Sequence, residues 1–403
     1  MRWWLSVLLI AGLAITAVAQ EEMGMQAPPP VMIDCGACWS SDGSEVLFSR
    51  VTTTQSGQGW QFSIVPVPMP VFQMPGMEGG YSGGMEGADM MKPAEPEYRR
   101  EGVFRVPATG GQPQQVIAGR ALIQDANRNH AVVLFQGMGA QQYRSWGVYG
   151  LELSGGSNST MWYQALPVWA RVSPDSRQFV LPHPKAPTYV FFPAGENARQ
   201  FSGFCGTVDN SRPAIWTPDS TGVWTAQAAP DGNWTLGIGQ PDQKFTKIVD
   251  RVGPNSFAVS IPGSTDVWVS ASMPKGIEPW PVKLWPGDPT GLYLYDAQGN
   301  VKRKVTATQP AEMQASPDGK LLAFVYGTAP YGLAVVSVDG GPVRRLSSQL
   351  VGGIGYGRSF AWSPDSKKIA FGGLDPDNKH GIFVVDVETA DITRLSTVPI
   401  IKK

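Results

Sequence analysis

Beyond residue 39 the chain is built from short runs in which apolar and polar residues alternate, separated by tight clusters of Ser, Pro, Asp and Gly. Alternation with period two puts successive side chains on opposite faces of extended backbone, so each run predicts a half-buried strand rather than a helix. The clusters share one phrase. Its clearest copies are Ala361-Trp362-Ser363-Pro364-Asp365-Ser366 and Ala315-Ser316-Pro317-Asp318-Gly319, with others at Trp39-Ser40-Ser41-Asp42-Gly43, Val172-Ser173-Pro174-Asp175-Ser176 and Trp216-Thr217-Pro218-Asp219-Ser220. Ser-Pro-Asp-Gly suits a type I turn, where Pro presets φ at the second position and Ser or Asp bonds to local backbone. Apolar residues follow the Asp at four and six places: Val46 and Phe48, Phe179 and Leu181, Leu322 and Phe324, Ile369 and Phe371.

Two degenerate copies fit the same frame, at Asn129 (with Val133 and Phe135) and Gly263 (with Val267 and Val269). The anchors at 42, 129, 175, 219, 263, 318 and 365 are separated by 87, 46, 44, 44, 55 and 47 residues. A spacing of about 45 residues is the period of a four-stranded propeller blade. The second half of the unit recurs too: Gly381-Ile382-Phe383-Val384-Val385-Asp386 leads to Ile392-Thr393-Arg394-Leu395. Gly332 to Ser337 likewise leads to Val343-Arg344-Arg345-Leu346, and Gly291 to Asp296 leads to Val301-Lys302-Arg303-Lys304-Val305. Each unit thus reads as strands a, b, c and d in one order. The expected fold is all-β: a β-propeller of seven four-stranded blades, with six or eight as alternatives. Asp42, Asp175, Asp219, Asp318 and Asp365 act as structural turn residues, and strand a of the first blade lies beside the last blade.

The phrase Trp-Ser-Pro-Asp-(Gly/Ser)-x-x-(Ile/Leu)-Ala-Phe, followed by Ile-x-Val-x-Asp and Thr-Arg-Leu strands, resembles the WD-like propeller repeats of the TolB type. The resemblance spans nearly all of the chain after the N-terminal segment. It implies the fold far more than a function, since such repeats occur in binding proteins, peptidase accessory domains and some lyases. TolB itself carries an N-terminal α/β domain ahead of its propeller. The first anchor here, Asp42, leaves no room for one within this sequence.

Two anchor gaps are long, and both excess segments fall between strands b and c. One occupies residues 52–100 and the other 272–290, so both are expected on the same face, and loops on a rigid scaffold are where function concentrates. The first is rich in Met, Pro and Gly, including Met69, Met74, Met77, Met85, Met90 and Met91, and reads as a flap of low complexity. Its thioethers would also suit Cu(I). The second contains Trp280-Pro281-Val282-Lys283-Leu284-Trp285-Pro286, which reads either as a plug over the channel mouth or as an aromatic contact surface. Trp280, Trp285, Trp60 and Tyr81 are the candidate partner-binding residues.

Composition narrows the function classes. With 32 basic and 33 acidic residues the net charge is −1 and no basic run stands out, which excludes the footprint of a nucleic-acid binder. Met1-Arg2, the apolar run Trp3 to Thr16 and Ala17-Val18-Ala19 form a signal-peptide pattern over residues 1–19 with Gln20 as the mature start, an uncleaved anchor being the alternative. This predicts a periplasmic or secreted protein with residues 20–403 as one propeller. Cys35, Cys38 and Cys205 then sit in an oxidising compartment, so a disulfide is the favoured reading, followed by reduced core thiols and lastly a redox Cys-x-x-Cys pair. His130, His183 and His380 are too scattered to form a metal site. No Gly-x-Ser-x-Gly elbow, phosphate loop or dinucleotide motif is present. The sequence therefore predicts a non-catalytic exported scaffold that binds a protein or peptide of the cell envelope, with no cofactor or metal. The alternative is a lyase or hydrolase acting on a small molecule or sugar at the channel mouth.

Overall fold

A computed structural model of the chain describes residues 30–54, 99–118, 121–126, 130–138, 144–152, 159–164, 171–181, 189–191, 199–200, 215–228, 233–240, 245–253, 256–272, 290–327, 331–350 and 358–398. Among them are 28 strands and no helix. The strands fall into seven consecutive groups of four, each an antiparallel meander of contiguous chain.

Unit one is β1 (Pro30–Trp39), β2 (Glu45–Thr54), β3 (Arg99–Pro107) and β4 (Gln114–Ala118). Unit two is β5 (Ala121–Ala126), β6 (His130–Met138), β7 (Arg144–Glu152) and β8 (Ser159–Gln164). Unit three is β9 (Arg171–Val172), β10 (Phe179–Leu181), β11 (Tyr189–Phe191) and β12 (Arg199–Gln200). Unit four is β13 (Ile215–Trp216), β14 (Val223–Ala228), β15 (Trp234–Gly239) and β16 (Thr246–Val252). Unit five is β17 (Phe257–Ser260), β18 (Val267–Ala271), β19 (Gly291–Tyr295) and β20 (Val301–Thr306). Unit six is β21 (Glu312–Ala315), β22 (Leu321–Tyr326), β23 (Tyr331–Ser337) and β24 (Arg344–Leu350). Unit seven is β25 (Phe360–Trp362), β26 (Lys368–Leu374), β27 (His380–Asp386) and β28 (Ile392–Arg394). A single bridge, Leu350 to Gly373, links the last two units edge to edge.

The repeated phrase makes the turn between the first two strands of a unit. The hydroxyl two residues before the Asp donates to its carboxylate: Ser40 to Asp42 at 2.7 Å, Ser173 to Asp175 at 2.5 Å, and Thr217, Ser316 and Ser363 to Asp219, Asp318 and Asp365 at 2.6 Å. That carboxylate also accepts the backbone N–H two residues on, from Ser44, Arg177, Thr221, Lys320 and Lys367. The next residue is left-handed, with φ of 72° and 73° at Gly43 and Gly319 and 61°, 62° and 62° at Ser176, Ser220 and Ser366. Such backbone costs a serine about 1–2 kcal/mol, but the hydroxyl has a use. Ser220 accepts from the Asp175 N–H and Ser366 from the Asp318 N–H, both at 3.0 Å, tying each turn to the one before it in the ring. Unit five differs: Pro262 precedes Gly263 at φ 73°, and the Ser264 N–H bonds to the Ile261 carbonyl. That is the type II arrangement, which needs Gly and not Asp, and explains why this copy of the phrase is degenerate.

Inner strands contact one another around the ring: β1 meets β5 and β25, β5 meets β9, β9 meets β13, and β17 meets β21. An indole N–H recurs at these joints. Trp216 donates to the Arg171 carbonyl at 3.0 Å, Trp362 to Gln314 at 3.1 Å, and Trp39 to Ala361 at 3.0 Å. The third of these joins unit one to unit seven, so the ring closes with the same bond it uses internally. Ala37, Trp39, Val46 and Phe48 of unit one pack there with Ala361, Ala370, Ile382, Val384 and Leu395 of unit seven. Gly372 lets the backbones approach; a Cβ on it would lie 2.9 Å from the Asp34 carbonyl oxygen. Around this seam Arg50 grips Asp34 through two N–H groups at 2.7 and 2.9 Å, and the Ser396 hydroxyl donates to the same carboxylate at 2.7 Å.

Two outcomes follow for stability. Asp34 and Arg50 are both buried, so Asp34→Ala strands a buried guanidinium and should lower unfolding free energy by about 3–5 kcal/mol in urea titrations. The double change Asp34→Val with Arg50→Met should recover most of that loss; a single-variant loss under about 1 kcal/mol, the scale of a surface pair, would show that the seam does not depend on this pair. The second concerns acid. The Ser44 N–H, with the Ser40 and Ser44 hydroxyls, holds the Asp42 carboxyl down to about 2, against about 3.9 in an unfolded chain. A carboxyl depressed on folding contributes stability that is present above its unfolded value and lost as pH falls through its folded one. The melting temperature should therefore drop between pH of about 4 and about 2, less steeply in Asp42→Asn; parallel acid profiles would refute this role for the turn.

Candidate functional site

In a four-stranded meander the second-to-third connection leaves at the edge opposite the Ser-Pro-Asp turns. The two long segments leave there, one between β2 and β3 and the other between β18 and β19. Strand pairing runs further than the sequence suggested: Thr52 pairs with Arg99, β2 reaches Thr54, and Ala271 pairs with Gly291. Residues 52–54 and 99–100 are therefore strand rather than insertion: Thr52 pairs with Arg99, and Thr53 and Thr54 pair with Val31 and Pro30 of β1, which satisfies their backbone groups. Trp60, Tyr81, Trp280 and Trp285 lie outside the described residues, as do the signal-like segment 1–19, the Met-rich stretch, His183 and Cys205.

At the axis the inner strands bring together charges that the repeat phrase does not announce. Asp125 on β5 is 2% exposed and accepts from the Arg358 guanidinium at 2.6 and 3.1 Å and from the Val172 N–H at 3.1 Å. Arg171, at the start of β9, is equally buried. Glu312 accepts the Ser359 N–H at 3.1 Å and the Gln314 amide at 3.1 Å. Four units thus meet around Cys38 of unit one. Burial, followed by the positive charge of Arg358, lowers Arg171 to about 10. Burial alone would lower Arg358 too, but the charge and hydrogen bonds of Asp125 outweigh it and hold that guanidinium above its ordinary value.

The expected disulfide needs correction. Cys35 and Cys38 are buried and carry no mutual disulfide. Both lie in β1, with a register shift between them that pairs Cys35 with Ser49 and Cys38 with Leu47. A bulge with Gly36 in the left-handed region (φ 70°) stands between them. They enter different clusters, Cys35 with Ile33 and Val51, Cys38 with Leu47 and Val103. Burial, and then Asp125, pushes the Cys38 thiol up to about 12, so the thiolate needed for redox chemistry is absent at neutral pH. His380 is buried at the start of β27, and burial followed by Arg394 lowers it to about 4. His130 lies in β6. Among the described residues no group of three or more His, Cys, Asp or Glu converges as a metal site would require.

Asp125, Arg171, Glu312 and Arg358 escaped the sequence reading, although part of the signal was there. Cys38, Asp125, Arg171 and Gln314 all stand four residues before a turn anchor, and a charge at that station interrupts an inner strand. Nothing in the sequence pairs Asp125 with Arg358, 233 positions away.

The architecture is that of a β-propeller. Neither a protein-family model nor a curated protein matches the sequence. Among solved structures, the β-propeller domain of the Trilobed protease from Pyrococcus furiosus, which has an open velcro topology, is similar over 90% of this chain and 98% of its own (10% identity, TM-score 0.54). An acylaminoacyl peptidase of Pyrococcus horikoshii is similar over 91% of this chain and 52% of its own (9% identity, TM-score 0.53). TolB from Acinetobacter baumannii is similar over 75% of this chain, which spans 60% of that protein (15% identity, TM-score 0.43). The two Pyrococcus likenesses establish the fold.

Ellman's reagent should leave Cys38 unreacted in the native protein and titrate it only in denaturant, because the thiol is buried and protonated. Rapid native-state reaction would contradict the packing of β1.

Proposed function

We propose that the chain is a non-catalytic binding scaffold of the cell envelope, engaging a protein or peptide at the edge from which residues 55–98 and 273–289 leave. The observation that carries this is the shared exit: two segments, far apart in sequence, leave one side of a rigid ring. The opposite side is occupied by short turns whose Asp carboxylates are spent on their own backbone. The axis supports the same reading. Asp125 is occupied by Arg358, Cys38 is kept protonated and His380 is kept neutral, so these groups serve packing rather than proton transfer. The signal-like N-terminus supports export.

Segment 273–289 supplies Trp280 and Trp285 as anchors, since tryptophans in Pro-rich loops bury large areas at little entropic cost. Trp280→Ala and Trp285→Ala should each weaken capture of the envelope partner by about tenfold or more, with the melting temperature unchanged, as expected for an interface hot spot. Capture would be read by cross-linking in the exporting cell's envelope fraction. Intact capture with a lowered melting temperature would instead identify both residues as a plug over the channel.

A further inference from the structure

Three large apolar side chains stand exposed among the described residues: Val301 at 41%, Val343 at 37% and Ile392 at 42%. They occupy one station in three successive units. Val301 opens β20, Val343 immediately precedes β24, and Ile392 opens β28. Cations follow each: Lys302, Arg303 and Lys304 in unit five, Arg344 and Arg345 in unit six, Arg394 in unit seven. The three strands, Val-Lys-Arg-Lys-Val-Thr, Arg-Arg-Leu-Ser-Ser-Gln-Leu and Ile-Thr-Arg, contain no Asp or Glu, although the chain as a whole is nearly neutral. The corresponding strands of units one and four open on Gln114-Gln115 and Thr246-Lys247, so the apolar-plus-basic arrangement does not extend to them.

These are also the outermost strands of their sheets. Among the described residues β20 and β28 have no strand on their outer side, and β24 pairs with a strand of another unit only at the Leu350–Gly373 bridge. Some of the cations fasten the ring. Arg303 donates to the Ser337 carbonyl at 2.8 Å and Arg344 donates to the Val387 and Glu388 carbonyls, while Lys302 pairs with Asp266 of its own unit at 2.6 Å. The next station is different. Lys304, Arg345 and Arg394 lie over the rings of Tyr293, Tyr326 and Phe383 at 5.3, 5.7 and 5.7 Å. Of these, Arg394 is also held by Asp375, while Arg345 is exposed. The rings hold these charges in place along the sheet edge at little further entropic cost.

Charges on an edge strand guard against sheet-to-sheet aggregation. An exposed branched apolar residue at the head of the same strand has the opposite effect, and here it recurs in three units. An open backbone edge, an apolar contact and ordered cations together fit one kind of ligand: an extended peptide whose carboxylates alternate with apolar side chains. We propose that the outer rim of unit six binds an acidic extended segment of a partner protein, laid against the outer edge of β24. Its apolar side chains cover Val343 and its carboxylates meet Arg345. This rim is separate from the edge where the two long segments leave, so either reading can fail without the other.

The test uses the full chain against an array of ten-residue peptides alternating Glu or Asp with Val, Ile or Thr, alongside matched arrays carrying Gln or Lys in place of the acids. Binding to the acidic set alone is expected, with hydrogen-exchange protection appearing in β24. Val343→Asp and Arg345→Glu should each weaken it by about tenfold, and both side chains are exposed, so circular dichroism and melting temperature should not change. Equal binding of the Gln peptides, indifference to both substitutions, or association with phosphatidylglycerol vesicles in place of peptides would overturn the proposal.

Discussion

The joint between neighbouring sheets governs this molecule. Each four-stranded unit satisfies its own backbone hydrogen bonds, so what makes a ring of them is side-chain packing plus a few directed bonds repeated from unit to unit. The indole-to-carbonyl bond of Trp39, Trp216 and Trp362 is one, and the turn-to-turn bond accepted by Ser220 and Ser366 is another. Both come from side chains at fixed stations of the repeat, so a period in sequence becomes a period in space. The closing joint adds Asp34, Arg50 and Ser396, a buried ionic group at the one place where the backbone does not run on.

Much of this was legible because it is local. The Asp of the turn, the hydroxyl two residues before it and the apolar residues four and six after it lie within one short stretch, and their physics needs no distant partner. Strand order followed from the same period. What stayed hidden depends on contacts across the ring. Asp125 looks like a stray polar residue until Arg358 arrives from another unit, and Cys38 looks like half of a redox pair until its thiol is seen buried beside Asp125. The disulfide reading failed because Cys-x-x-Cys spacing does not say which cluster each side chain enters. The rim was equally obscure, since Val301, Val343 and Ile392 read as ordinary strand residues and only their position at the head of an outer strand exposes them.

The two surfaces differ in kind. At the edge of the long segments, recognition would come from side chains on loops, which tolerate change in length and sequence. On the rim it would come from strands already fixed by the sheet, where backbone groups supply affinity and a few side chains supply choice. A scaffold with both could hold two partners at once without either having to displace the other.

The closing joint also bears on where the chain's ends fall. Because Trp39 meets Ala361 as Trp216 meets Arg171 and Trp362 meets Gln314, the ring has no mechanical beginning. The order of units around the circle, rather than the position of the first residue, is what the fold encodes. A circularly permuted chain that opened between units two and three would keep every one of these contacts in place. It would also convert the Asp34–Arg50–Ser396 group from a clasp at the seam into an interior brace, and the new opening would be held by the Val172 N–H to Asp125 bond instead.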